Sequence, residues 1–135
     1  FKQELLVGTH NFTATTGNTF KIALYTSSAT LGAGTTAFSS TNEITNSSGT
    51  AYTSGGASLT SVTPTTDSTT AVCDFADVSF TSASFTANGA LIYNSSQSNK
   101  AVAVIAFGGD KTVSSGTFTI QFPTADATNA IIRLA

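Results

Sequence analysis

The sequence predicts an all-β protein: a single β-sandwich of roughly seven or eight strands, jelly-roll or immunoglobulin-like, carrying one short N-terminal helix. Three observations carry that reading. Apolar residues recur with period two in several short runs, the spacing of strands with one buried face. Turn residues separate those runs every ten or so positions, and only one stretch has helical spacing. Serine and threonine make up about a third of the 135 residues, yet an apolar content of 40% can still fill a core, so the chain is not a disordered hydroxyl-rich tract.

The elements follow in order. Over residues 1–7, Phe1 and Leu5 lie four apart, as do Lys2 and Leu6, and Gly8 can end a helix in a left-handed conformation. A helix this short is marginal alone and must dock. Residues 19–26 alternate, with Phe20, Ile22 and Leu24 facing one way and Lys21, Ala23 and Tyr25 the other. Residues 27–50 carry no sustained apolar pattern. So long a loop either makes contacts with a partner or wraps over its own domain. A strand is expected over 57–63, with Pro64 stopping it. The run 71–80 has no cleanly apolar face, which places a bulge or bend near Asp77. In 85–94, Asn88-Gly89 reads as a bulge or kink. Residues 100–107 are nearly all apolar and read as a central strand covered on both faces. Residues 117–122 alternate Phe118, Ile120 and Phe122 against polar neighbours, and 129–134 close the sheet. Phe20, Ile22, Leu24, Val104, Ile105, Phe118 and Ile120 are the expected core. No spaced repeat or domain boundary interrupts the chain, so residues 1–135 form one domain.

Composition narrows function by exclusion. Only 9% of residues are charged, with a formal net charge of −2 and no basic stripe, which argues against nucleic acid as a partner. No apolar run approaches the ~18 residues of a membrane-spanning helix, and no signal peptide is visible. The chain starts at Phe1 and contains no Met, so residues before Phe1 are expected. The lone Cys73 has no internal disulfide partner and reads as a small buried hydrophobe. A surface so poor in charge suits close packing against other chains.

Candidate chemistry is thin, and neither a catalytic, a cofactor nor a metal site is expected. Nucleophilic catalysis needs a base beside the hydroxyl or thiol, and the only histidine is His10. No Cys, His or acidic cluster lies near it for a metal. Asp74 and Asp77, three apart on a strand, point to opposite faces, and with Asp67 they lack the spacing of a calcium loop. Gly108-Gly109-Asp110-Lys111 lacks the pattern of a phosphate loop and reads as a turn between two strands. Three glycosylation patterns, at Asn11-Phe12-Thr13, Asn46-Ser47-Ser48 and Asn94-Ser95-Ser96, arise by chance in a chain so rich in Ser and Thr.

One ordered series of segments resembles a known family. It runs Lys21-Ile22-Ala23-Leu24-Tyr25-Thr26-Ser27-Ser28-Ala29, Tyr52-Thr53-Ser54-Gly55-Gly56, Gly89-Ala90-Leu91-Ile92-Tyr93-Asn94 and Phe107-Gly108-Gly109-Asp110. It continues through Gly116-Thr117-Phe118-Thr119-Ile120-Gln121-Phe122-Pro123 to Ala130-Ile131-Ile132-Arg133. The series, with the opening Phe1-Lys2-Gln3-Glu4-Leu5-Leu6, resembles small structural proteins of tailed bacteriophages over nearly the whole chain. The resemblance implies a virion component and not an enzyme. Its implied partners are the major capsid protein or other virion proteins and further copies of itself, as a capsid decoration or cement protein. A tail or neck component, or a host-surface or glycan-binding module, is the alternative. The contact elements expected in that role are residues 1–6, with Phe1, Leu5 and Leu6, and the loop 30–46. Phe38 at the centre of that loop is either an anchor in a partner or folded back on its own core.

Overall fold

In the computed structural model, which describes residues 1–45 and 51–135, two antiparallel sheets enclose one main core. The helix α1 (Lys2–Leu6) precedes strands β1 (Phe20–Tyr25), β2 (Ala57–Ser58), β3 (Ser61–Asp67), β4 (Thr70–Phe75), β5 (Val78–Asn94), β6 (Lys100–Ile120) and β7 (Ile132–Leu134). One sheet has the order β2-β1-β5-β6 and the other β3-β4-β7. The all-β sandwich with a small N-terminal helix is therefore as expected, with Gly8 following α1 at a φ of 74°.

The true central strands are β1 and β5. Phe20, Ile22 and Leu24 point into the main core, and Ala23 and Tyr25 on the opposite face are equally buried. That opposite face is covered because residues 27–45 wrap back over it: Ala29, Leu31 and Phe38 pack against Ala23, Tyr25, Leu91, Tyr93 and Ala101. A hydroxyl-rich loop thus doubles as the lid of a second, smaller core.

Residues 100–107 sit differently from the sequence expectation. They open β6, which among the described residues lies at the edge of its sheet with β5 as its strand neighbour. Val104, expected in the core, is 37% exposed, and Ile105 and Phe118 are half-buried, whereas Ile120 is buried. Apolar content and β-branching are the same for a covered strand and for a bare edge, so the sequence alone does not separate them.

Gly108-Gly109-Asp110-Lys111 is also not a turn between strands. It lies inside β6, where φ values of 72° and 136° at Gly108 and Gly109 let the strand bulge without ending. Registers against β5 shift at Phe80/Ala83, Ala83/Phe85, Ala87/Gly89 and Ile92/Tyr93, so the long β5–β6 hairpin coils over the core. The shift beside Asn88-Gly89 matches the bulge read there.

Two further boundaries move. Pro64 does not stop a strand; it sits within the edge strand β3, at the register shift between Val62 and Thr65, where a missing N–H costs no ladder bond. The bend expected near Asp77 is a full change of sheet: β4 ends at Phe75 in one sheet and β5 begins at Val78 in the other.

Two runs of aromatic rings cross the main core. Phe12 stacks on Phe20 with centroids 4.4 Å apart, and Phe75 lies 5.5 Å from Phe20. A second run links Tyr52, Phe80, Phe85, Phe118 and Phe107. Each such ring, fully buried, contributes about 1.5–3 kcal/mol, which is how a chain without Trp or Met fills its interior.

Candidate functional site

The buried polar groups are used up by the fold. Glu43, 7% exposed, accepts hydrogen bonds at Oε1 from the Tyr52 hydroxyl (2.6 Å) and the Gly55 amide (2.6 Å), and at Oε2 from the Ser54 hydroxyl (3.0 Å). The Tyr52 oxygen in turn accepts the Leu24 amide of β1 at 3.0 Å. Burial pushes the Tyr52 phenol well above its ordinary range, and the Glu43 carboxylate adds to the shift. Burial likewise raises Tyr25 to about 12. Such phenols stay protonated and donate, Tyr25 to the Ser39 carbonyl and Tyr93 to the Gly55 carbonyl, both at 2.7 Å. This acidic clamp was not legible beforehand, because Glu43 looks like an ordinary loop residue until β1 is brought beside it.

His10 is buried in a second polar cluster. Its Nδ1 lies 3.0 Å from the Asn94 amide nitrogen, which also donates to Asn18 Oδ1, while Asn94 Oδ1 accepts the Ser96 amide. Asn94 therefore presents a donor, His10 Nδ1 accepts, and Nε2 carries the proton towards Glu4 Oε2 at 3.3 Å. Glu4 also pairs with Lys100 at 2.5 Å, and its carboxyl is held at about 2, chiefly by that ammonium and then by the Phe1 amino group.

The remaining candidates have local duties. Asp74 Oδ1 accepts the Phe75 amide, Asp77 Oδ1 the Phe122 amide and Asp67 Oδ2 the Ala127 amide. Cys73 is buried, and desolvation pushes its thiol up to about 12. Among the described residues, no group of three or more His, Cys, Asp or Glu is placed to hold a metal, and no helix is long and apolar enough to cross a membrane. Asn94 is fully buried, which removes it as a glycan acceptor, whereas Asn11 is exposed. The third pattern, Asn46-Ser47-Ser48, and the end of the loop expected over 30–46 lie outside the described residues.

The four residues named as contacts divide. Phe1 and Leu5 are half-buried against the main core, with Leu5 lining a small groove with Phe12, Pro64, Cys73, Ile132 and Leu134. Phe38 folds back onto the chain, stacked on Tyr93 at 4.7 Å and 21°. Leu6 is 88% exposed and its neighbour Val7 70%. The arm is thus pinned to one sheet through Glu4–Lys100 and to the other through Leu5, and it holds two apolar side chains in solvent.

The second open region is the outer edge of β6. Among the described residues, backbone pairing to this edge is confined to its start: Ala37 bridges Lys100, the Phe38 amide donates to the Asn99 carbonyl, and the Ala101 amide donates to the Thr36 carbonyl. Beyond that, one hollow of about 400 Å³ lies among Phe1, Gly32, Ala33, Thr35 and residues 101–104. Another, of about 410 Å³, is walled by Ile105, Phe107, Phe118 and Ile120 with Lys111 at its rim.

Compared with protein-family models, with curated proteins and with solved structures, the chain matches none. Function rests on the geometry and on the sequence resemblance.

Proposed function

We propose that this chain is a structural protein of a tailed-bacteriophage virion, a capsid decoration or cement protein that docks across junctions between major capsid subunits. The observation that carries the proposal is the arm: Leu6 and Val7 stand 88% and 70% exposed on a segment fastened to both sheets. Exposed apolar side chains on a held element suit burial in a partner's groove. The ordered series of segments resembling phage structural proteins supports the same reading. So do the buried His10 and Glu43, whose polar atoms are occupied by the fold rather than directed into a cleft. Tyr25, Tyr52 and Tyr93 are at most 3% exposed, so none offers a stacking platform for a sugar, which disfavours the glycan-binding alternative.

The mechanism is mechanical. Each copy buries a modest apolar contact, and many copies on one shell sum to resistance against internal pressure. The test uses purified particles. Copy number is expected to be a fixed multiple of the capsid geometry, and particles lacking the chain should assemble yet release their genome at lower temperature. Leu6→Asp with Val7→Asp should leave the free domain's unfolding unchanged while stripping it from particles. Particles without the chain that are as robust as wild type, but adsorb poorly to host cells, would replace this reading with a tail or host-binding role.

A further inference from the structure

We propose that two copies of this chain associate edge to edge through β6, antiparallel and about a two-fold axis at Val104. The inference goes beyond the virion reading and stands without it. It starts from a mismatch: the stretch 102–107 has the composition of a covered central strand, with no charge, no Pro and no Gly, yet it occupies a sheet edge. A bare, apolar, β-branched edge is a template for a further strand, and soluble proteins blunt such edges with Lys, Pro or bulges. Here the bulge and the lysine come only later, at Gly108-Gly109 and Lys111. Nothing in the described chain pairs with the outer edge past Ala101, where the loop bridge through Ala37 ends.

A second copy fits this edge by charge and by pattern. With Val104 opposite its own counterpart, Ala103 faces Ile105 of the second copy and Val102 faces Ala106, so no like charges meet. The antiparallel direction brings Lys100 of one edge, already paired with Glu4, towards Asp110 and Lys111 of the other, whose charges cancel, so the two ends do not repel. The loop bridge at Ala37–Lys100 stops the added pairing near Val102 and so confines it to this stretch. The half-buried Ile105 and the 37% exposed Val104 then gain cross-strand neighbours, one on each face of the joined sheet. Closure about one axis uses the edge in both chains and leaves none for a third.

Sedimentation velocity of the whole chain from about 1 to about 300 µM tests this. The expected species has twice the 13.7 kDa of one chain. Val104→Lys sets two ammonium groups face to face on the axis and should weaken association by about a hundredfold or more. Val104→Glu should do the same, and mixing the two variants should restore a dimer, since only a two-fold at this residue pairs them. Val62→Lys, at a 45% exposed position on β3 of the other sheet, should dimerise as wild type does. A wild-type chain that stays monomeric across the range overturns the proposal. So does a pair of Val104 variants that do not rescue each other while their circular dichroism shows a folded domain.

Discussion

Replacing Glu43 by Ala removes one acceptor group from three donors at once: the Tyr52 hydroxyl, the Gly55 amide and the Ser54 hydroxyl. Hydrogen bonds to a charged acceptor are each worth about 1.5–3 kcal/mol. Ser54 is exposed, and water replaces its bond at little cost. Tyr52 is fully buried and Gly55 partly so, and neither is compensated as easily. The expected loss is therefore about 3–5 kcal/mol. Glu43→Gln keeps the shape and one carbonyl oxygen, which can still accept from Tyr52 and Gly55 while the amide donates to Ser54. It should cost only about 1 kcal/mol. Urea unfolding followed by circular dichroism reads both. With a slope of about 1–3 kcal/mol per molar, the midpoint should fall by about 2 M for Ala and about 0.5 M for Gln. An Ala variant within about 1 kcal/mol of wild type, or a Gln variant as damaged as Ala, would refute the clamp.

Two other perturbations follow from the same packing. Gly56 has a φ of 75°, and a Cβ there would lie 1.8 Å from the Ile22 carbonyl oxygen, so Gly56→Ala should destabilise by at least about 3 kcal/mol in the same urea assay. The Glu4 carboxyl is lowered from its ordinary 4.5 to about 2, with Lys100 the main cause, so its contribution is complete above pH 4.5 and fades as pH falls towards 2. Amide protection factors in residues 2–8, corrected for the intrinsic exchange rate at each pH, should fall across that window in wild type, and Glu4→Gln should remove that fall.

The sequence by itself determined the class of fold and, of the core expected from it, the buried positions Phe20, Ile22, Leu24 and Ile120. The alternation at Phe20, Ile22 and Leu24 holds in any sheet that buries one face, because the side-chain period of a strand is set by its own backbone. Gly8 ends a helix for an equally local reason.

What the tertiary structure decided is everything that depends on which strand lies beside which. Residues 100–107 carry the same apolar pattern at an edge as in a sheet centre, since pairing is a property of two strands and not of one. Gly108-Gly109 has the chemistry of a turn, and only the register against β5 makes it a bulge within one continuous strand. The role of Phe38 was open because a ring has no memory of where it packs; Tyr93, 55 residues further along the chain, supplies its surface. Glu43 and His10 are the clearest cases. Their partners Tyr52, Gly55 and Asn94, themselves bonded to Leu24 and Asn18, come from separate segments, and only the folded chain gathers these donors and acceptors.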